Sequence, residues 1–268
     1  MKRCSGSSGA GGILVILVLL AGLFCPLDAA AQTVTNREIT ISAAISLKDA
    51  FEEIGRVFRE KNLGAELTFN FGGSGGLARQ IEAGAPVDVF ASAAQKDMDD
   101  ISKKGLLAPD SRKDFARNTV VLIRPVQSTI GLNSAKDLLK SEVKRIAVGN
   151  PKTVPAGRYA EEALRHFSVW EALKDKLVFA ENVRQVLDYV ARNEVDAGLV
   201  YRTDAAVRGT DVKIVEKLSA DSHQPVIYPI GVIKGTKEAP LARAFIDFVI
   251  SPEGQRILGQ YGFITDRK

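Results

Sequence analysis

Hydrophobic positions along the chain alternate between two spacings, one typical of strands and one typical of helices. Strands are predicted where apolar residues stand at consecutive or alternate positions, over 38–43, 65–71, 87–91 and 119–123. Helices are predicted where apolar residues recur every three or four positions, over 47–61, 77–83 and 95–104. Strands that alternate with helices in this way indicate a parallel sheet covered by helices.

A second series of the same kind occupies the rest of the chain. Its predicted strands span 145–149, 177–179, 197–201 and 227–233. Its predicted helices span 134–139, 155–167, 183–192 and 240–261, the last with a break near Ser251 and Pro252.

Two series of similar size predict an α/β protein with two lobes, each a helix-covered, mainly parallel sheet. The strands at 119–123 and 227–233 are expected to cross between the lobes. On this basis lobe 1 comprises 32–120 and 234–268, and lobe 2 comprises 121–233. A chain of 268 residues is long enough to build real hydrophobic cores in both lobes.

The first 31 residues have the organisation of a secretory signal peptide. Lys2 and Arg3 give a basic start, an apolar run spans 13–24, and alanines stand at 29–31. The apolar run is too short to cross a bilayer comfortably, which disfavours a membrane anchor. We therefore expect cleavage after Ala31 and a soluble mature protein in the periplasm.

Both cysteines, Cys4 and Cys25, lie within this predicted signal peptide. The mature chain would then contain no disulfide, no thiolate metal site and no cysteine nucleophile, which fits a protein exported to the bacterial periplasm. Lipidation of Cys25 is disfavoured because the bulky Phe24 precedes it, where a small residue is usual. The formal net charge of +4 comes from charges scattered along the chain, so no nucleic-acid-binding surface is expected.

Four predicted helices begin soon after a strand, at positions that carry small or polar residues. Ser46 and Ser74 stand at two of these starts, and Ala156 and Val183 stand at two others. The first N–H groups of a helix have no intrahelical acceptor and the helix dipole adds positive potential, so such starts are ready anion sites. The glycines around Ser74 would let a ligand approach the backbone closely.

A plainer interpretation applies to each serine taken alone. Serine is a common N-cap residue that contributes about 1 kcal/mol without any ligand. Ser46 by itself is better explained in this way, whereas Ser74 within the glycine-rich stretch 72–76 is more informative. Four arginines could line the rim of the cleft and steer anions, namely Arg79, Arg158, Arg184 and Arg202. Such residues are more often solvated helix charges, and none is taken as a ligand.

Eight short segments, taken together and in order, are far more specific than any one helix start. They are AAISL (43–47), FGGSGGLARQI (71–81), GAPVDVF (84–90), AVGNP (147–151), VPAG (154–157), NVR (182–184), GLVYRTD (198–204) and YGF (261–263). Over essentially the whole mature chain, these segments resemble the periplasmic molybdate-binding proteins of bacterial ABC transporters.

This resemblance implies a two-lobed periplasmic-binding-protein fold of the type II kind, with a hinge and with the ligand in the interlobe cleft. It implies that the hydroxyls of Ser46, Ser74 and Tyr201 hold the oxyanion. It also assigns backbone amides at Ser46, Ser74, Ala156 and Val183 to the ligand. Tyr201 has an alternative interpretation as a strand-end aromatic residue that covers the core.

The chemistry of these groups agrees with an oxyanion. Molybdate and sulfate are unprotonated near neutral pH and only accept hydrogen bonds, which N–H and O–H groups donate. Phosphate keeps a proton and would need a carboxylate acceptor, which the implied ligand set lacks. Cavity size would separate molybdate from sulfate, so a sulfate or thiosulfate binder of the same fold stays open as an alternative.

The resemblance also implies the partners of the protein. Molybdate, and with it tungstate, would be delivered to an inner-membrane permease that is driven by a separate ATPase. We expect a monomer that is not an enzyme and needs no cofactor. Direct metal ligands are not expected, since the molybdenum would be held through its own oxygens.

A serine hydrolase is the enzymatic alternative. Gly72–Gly76 fits the G-x-S-x-G pattern of a nucleophile elbow between a strand and a helix, with Ser74 as the nucleophile. Asp204 and then His223 follow in a suitable order, but His223 stands in a polar turn and no other segment resembles a hydrolase. With two distant histidines, His166 and His223, and no mature cysteine, the sequence shows no metal-ligand spacing.

Overall fold

The computed structural model describes residues 37–265, so the predicted signal peptide lies outside the described residues. The strands are β1 (Arg37–Ala44), β2 (Ala65–Gly72), β3 (Val89–Ala91), β4 (Lys113–Arg117), β5 (Val120–Pro125), β6 (Ile146–Gly149), β7 (Leu177–Ala180), β8 (Ala197–Tyr201), β9 (Val212–Lys217) and β10 (Ile227–Val232). The helices are α1 (Lys48–Lys61), α2 (Ser74–Glu82), α3 (Gln95–Lys103), α4 (Pro155–His166), α5 (Trp170–Leu173), α6 (Val183–Ala191), α7 (Arg202–Val207), α8 (Ala239–Ile250) and α9 (Pro252–Gln260). Short 3₁₀ turns span Ile45–Leu47, Ala135–Leu139 and Lys174–Lys176. Within residues 37–265, no helix has both the length and the hydrophobicity needed to cross a membrane.

The strands form two five-stranded sheets, and each sheet with its helices is one lobe. The first sheet has the order β2-β1-β3-β10-β4, and the second has the order β7-β6-β8-β5-β9. In each sheet a single strand runs against the other four, namely β10 in the first and β5 in the second. The prediction of an α/β protein with two helix-covered, mainly parallel sheets is therefore confirmed.

The chain passes between the sheets twice, and the two reversed strands mark these passages. The link at 118–119 leads from β4 to β5, and residues 218–226 lead from β9 back to β10. The predicted lobe 2 included β10, whereas β10 pairs with β3 and β4 of the first sheet. A short apolar strand has the same pattern in either sheet, so only its partners decide where it belongs.

The sequence pattern missed β4 and β9, which are the edge strands next to the two passages. Both strands carry exposed charged side chains, with the sequences KDFAR and VKIVEK. Such residues are common on edge strands because they oppose pairing with other chains. The predicted break in the last helix is confirmed, since α8 ends at Ile250 and the Ser251 side chain accepts a hydrogen bond from the N–H of Gly254 at the start of α9.

Helix α1 shows how the hydrophobic pattern positions the site. Its apolar face is buried, and the rings of Phe51 and Phe58 pack edge-on against Phe245 of α8 with centroids 5.9 and 5.5 Å apart. Full burial of one such side chain contributes about 1.5–3 kcal/mol. Because α1 continues directly from the turn that contains Ser46, this packing holds Ser46 at the end of β1.

Candidate functional site

The five residues with a predicted ligand role line one small cavity between the lobes. In the first lobe, Ser46 lies in the turn after β1, and Ser74 begins α2 after β2. In the second lobe, Ala156 and Val183 lie in the first turns of α4 and α6, and Tyr201 ends β8. The cavity thus faces the carboxyl ends of strands in both sheets, where ligands of α/β proteins usually bind.

The cavity is tight, since the centre of a water-sized sphere can occupy only about 10 Å³ of it. The other residues that line it are Ala44, Ile45, Gly72, Gly73, Ala93, Val154 and Pro155. None of the lining residues has a charged side chain. The polar groups available to a ligand are therefore hydroxyls and main-chain groups.

Both serines are buried, and neither of them caps a helix. Ala44 is the N-cap of the turn that contains Ser46, Gly73 is the N-cap of α2, and neither start has a side-chain cap. The N-cap interpretation of Ser46 is therefore wrong. Instead, the Ser74 hydroxyl accepts a hydrogen bond from the Ala93 N–H at 3.0 Å, and its own hydrogen is free for a second partner.

The Ser46 hydroxyl lies 3.0 Å from the hydroxyl of Tyr228, in β10. The Asn118 side chain, in the link between β4 and β5, donates to the same Tyr228 hydroxyl at 3.3 Å. Tyr228 and Asn118 could not be recognised from the sequence, because both are distant from Ser46 along the chain and no local pattern distinguishes them.

The four predicted amides all belong to helix first turns, where no intrahelical acceptor exists. The starts of the Ser46 turn, α2 and α4 have no side-chain cap that would occupy these amides. At the start of α6, the Asn182 side chain accepts from the N–H of Gln185 and not from that of Val183. The amides and dipoles of these helix starts give the cavity a positive potential without a cationic side chain.

The glycines beside Ser74 make contact with the second lobe. The Gly75 N–H donates to the Thr153 carbonyl at 3.0 Å. A Cβ atom at Gly75 would lie 2.9 Å from that oxygen, and one at Gly73 would lie 2.9 Å from the carbonyl oxygen of Glu181. The sequence suggested that these glycines let a ligand approach the backbone closely. The contacts show that they also let the backbone of the second lobe approach closely.

Two arginines connect the lobes beside the cavity. Arg184 of α6 donates through Nε to Asp204 of its own lobe and through Nη2 to Asp49 of the first lobe, both at 2.5 Å. Arg158 of α4 bridges to Asp97 of α3 in the first lobe at 2.5 Å. The two arginine side chains are only 17% and 16% exposed, so the interpretation as solvated charges is wrong for both.

Burial controls the protonation of two groups near the cavity. It raises the pKa of the Tyr201 hydroxyl well above its usual value, so this hydroxyl keeps its proton and can donate. The Tyr201 hydroxyl lies 3.5 Å from the Ala93 carbonyl, which is too long for a strong hydrogen bond and leaves it available. Burial also raises the pKa of Asp204 to about 6, although the Arg184 charge acts in the opposite direction. Asp204 is therefore mainly ionised at neutral pH.

The arrangement does not favour a serine hydrolase. Within the described part of the chain, the Ser74 oxygen is bonded to the Ala93 N–H and to no histidine. The His223 Nδ1 lies 2.7 Å from the carbonyl oxygen of the next residue in its turn, and Asp204 pairs with Arg184. Residues 37–265 also contain no cluster of three or more side chains suited to hold a metal ion.

Comparisons with known proteins agree with this architecture. The family described as bacterial extracellular solute-binding protein matches residues 39–264. The molybdate-binding protein ModA of Escherichia coli K12 is 39% identical over 254 residues, which cover 92% of this chain and 97% of that protein. ModA of Haemophilus influenzae is 37% identical over 252 residues, which cover 92% of this chain and 95% of the relative.

Among solved structures, the periplasmic molybdate-binding protein of Azotobacter vinelandii has the same fold. It superposes with a TM-score of 0.76 over 85% of this chain and 100% of the other, at 24% sequence identity.

Proposed function

Because the chain belongs to the bacterial extracellular solute-binding proteins, and within them to the molybdate-binding ModA proteins, we propose that it captures molybdate between its lobes. The bound anion is then delivered to an ABC-type importer, which consists of an inner-membrane permease and its ATPase. The observation that carries this proposal is the cavity in which all five predicted ligand residues meet without any charged side chain.

The proposed ligand set consists of donors. The hydroxyls of Ser46, Ser74 and Tyr201 and the amides of Ser46, Ser74, Ala156 and Val183 offer hydrogen bonds to the four oxygens of the anion. A dianion buried without partners would cost on the order of tens of kcal/mol. Each hydrogen bond to a charged group contributes about 1.5–3 kcal/mol, so a dense set of donors is what a buried dianion requires.

The size of the cavity supports a small ion as the ligand. The centre of a water-sized sphere can occupy only about 10 Å³ of it, which is about what a single ordered water requires by the same measure. Pockets for larger organic ligands usually enclose about 300–1,000 Å³. A cavity this tight supports an ion of few atoms rather than a sugar phosphate as the ligand.

The lining also supports an anion that carries no proton. A protonated phosphate needs a carboxylate acceptor, and no carboxylate lines the cavity. Molybdate and tungstate have the same charge and shape, so tungstate is proposed as a second ligand.

Contacts between the lobes support capture by closure. The bond of Gly75 to Thr153 and the bridge of Arg184 to Asp49 both join the lobes beside the cavity. A hinge at the two passages between the sheets would let these contacts form around the anion and exclude water, as in other hinge-closing binders. The protein acts as a periplasmic monomer without a cofactor, exported by the predicted signal peptide.

Isothermal titration of the mature chain, beginning at Gln32, tests the proposal with molybdate, tungstate, sulfate and phosphate in turn. One-to-one binding of molybdate and tungstate below micromolar concentration, with weak sulfate and phosphate binding, is the expected result. Sulfate binding as tight as that of molybdate would indicate a sulfate-type oxyanion binder of the same fold. Absence of heat with all four anions would reject the proposal.

A further inference from the structure

We infer that Tyr228 and Asn118 fix the direction of the Ser46 hydroxyl, so that its hydrogen is left to be donated to the bound anion. The inference rests on the proposed function, since Ser46 is one of the proposed ligands. Neither Tyr228 nor Asn118 lines the cavity, so both are positioning residues that act through Ser46.

The orientation of the Asn118 amide follows from its neighbour in the chain. The Thr119 N–H lies 2.8 Å from Asn118 Oδ1 and can only donate, so the amide oxygen must face it. The amide nitrogen of Asn118 therefore faces the other way. It donates to the Thr203 hydroxyl at 2.8 Å and to the Tyr228 hydroxyl at 3.3 Å.

The direction of the next hydrogen bond follows from burial. Tyr228 is fully buried, and its hydroxyl has two polar neighbours among the described residues, Asn118 Nδ2 and Ser46 Oγ. The Asn118 nitrogen has no free lone pair, so Ser46 Oγ is the acceptor for the Tyr228 hydrogen. The opposite direction would leave a buried O–H group without an acceptor, which native structures avoid. Burial also raises the pKa of Tyr228 well above its usual value, so the hydroxyl keeps this hydrogen.

The consequence for the ligand lies at Ser46. Because its oxygen accepts from Tyr228, its own hydrogen remains for a group in the cavity. Ser74 is set in the same way, since its oxygen accepts from the Ala93 N–H at 3.0 Å. Both serine oxygens thus accept a hydrogen bond from a buried group outside the cavity, and both serine hydrogens are left for an anion that accepts.

A double-mutant cycle in the full mature protein separates this role from packing. Tyr228→Phe should weaken molybdate binding about tenfold, because the Ser46 hydroxyl can then rotate its hydrogen away from the anion. The same change in a Ser46→Ala background should alter the affinity by less than about twofold. Tyr228→Phe should also reduce the preference for molybdate over phosphate at pH 7, since the Ser46 hydroxyl can then turn its hydrogen away and present its lone pairs to a protonated anion.

Tyr159→Phe is the matched control. Tyr159 is buried and packs beside Tyr201, but its hydroxyl takes part in none of the hydrogen bonds found within residues 37–265. Its removal should leave affinity and selectivity within about twofold of the wild type. Asn118→Ala removes the hydrogen bond that Asn118 donates to the Tyr228 hydroxyl. It should cause a smaller loss of molybdate affinity, and this loss should also disappear when Ser46 is alanine. Thermal melts of all variants check that they are folded.

Several outcomes would overturn the inference. They are an unchanged affinity in folded Tyr228→Phe, a loss of the same size in the Ser46→Ala background, or an equal loss in Tyr159→Phe. A wild-type protein that binds none of the four oxyanions would instead overturn the proposed function, so the two failures are distinguishable.

Discussion

The backbone of Gly75 in the first lobe lies directly against the backbone of Thr153 in the second. The Gly75 N–H donates to the Thr153 carbonyl at 3.0 Å, and the Cα of Thr153 is 3.1 Å from the place where a Gly75 Cβ would stand. This contact lies next to Ser74, so the two lobes meet at one wall of the candidate site.

Gly75→Ala is expected to weaken molybdate binding by roughly tenfold to a hundredfold, because overpacking at this contact costs about 1–3 kcal/mol in the closed state. The unfolding temperature without ligand should not fall, since alanine is a better helix former than glycine. Titration calorimetry measures the affinity, and small-angle scattering measures whether molybdate still compacts the protein. Gly76→Ala is the control, because a Cβ there meets nothing within 4 Å. Equal behaviour of the two variants would contradict the assignment.

Ser46→Ala and Ser74→Ala are each expected to weaken molybdate binding by roughly ten- to a hundredfold, the equivalent of one hydrogen bond to a charged group. Their folds should be intact, as judged by circular dichroism and thermal melts. Ser42→Ala serves as the control, since Ser42 is also buried in the first lobe but does not line the cavity. Unchanged affinity in both ligand-serine variants would remove these serines from the site.

Asp49→Asn removes the partner of Arg184 that belongs to the opposite lobe. The carboxylate is 36% exposed, so the effect should be modest, with dissociation of molybdate about two- to fivefold faster and little change in association. Stopped-flow fluorescence measures both rates. Glu52→Gln removes a carboxylate from the same helix whose partner, Lys48, lies in the same lobe, and it should leave both rates unchanged. A slower association with unchanged dissociation would argue against a closing contact.

Asp204 should contribute less to the free energy of unfolding as the pH rises. Its pKa of about 6 in the folded protein exceeds the ordinary value of 3.8, so the folded state binds this proton more tightly than the unfolded state does. Its contribution to the free energy of unfolding is greatest below pH 4 and is lost as the pH rises through 6, by about 3 kcal/mol in all.

Urea denaturation of the wild type and of Asp204→Asn at a series of pH values measures this contribution. The wild-type free energy of unfolding minus that of the variant should fall between pH 4 and pH 6 and level off above pH 7. A difference that is flat across this range, or that rises with pH, would show that Asp204 does not titrate as its burial implies.

The alternation of most strands and helices and the two series were predictable from the sequence, whereas the edge strands β4 and β9 were not. Helical spacing of apolar residues in α1 and the glycine-rich turn before α2 are local features, so they can be recognised without knowing the path of the chain. The eight family-like segments also identified Ser46, Ser74, Ala156, Val183 and Tyr201, and all five line the same cavity.

Only the tertiary structure decided which buried groups form hydrogen bonds with these residues and which contacts join the lobes. Ser46 and Tyr228 are 182 positions apart, and Arg184 and Asp49 are 135 positions apart. The sheet to which β10 belongs and the close approach of Gly75 to Thr153 are likewise contacts between distant segments. Periodicity reports which face of a strand or helix is buried, but it carries no information about which distant segment covers that face. The direction of the Ser46 hydrogen bond depends on such a neighbour, and so it emerges only when the chain is folded.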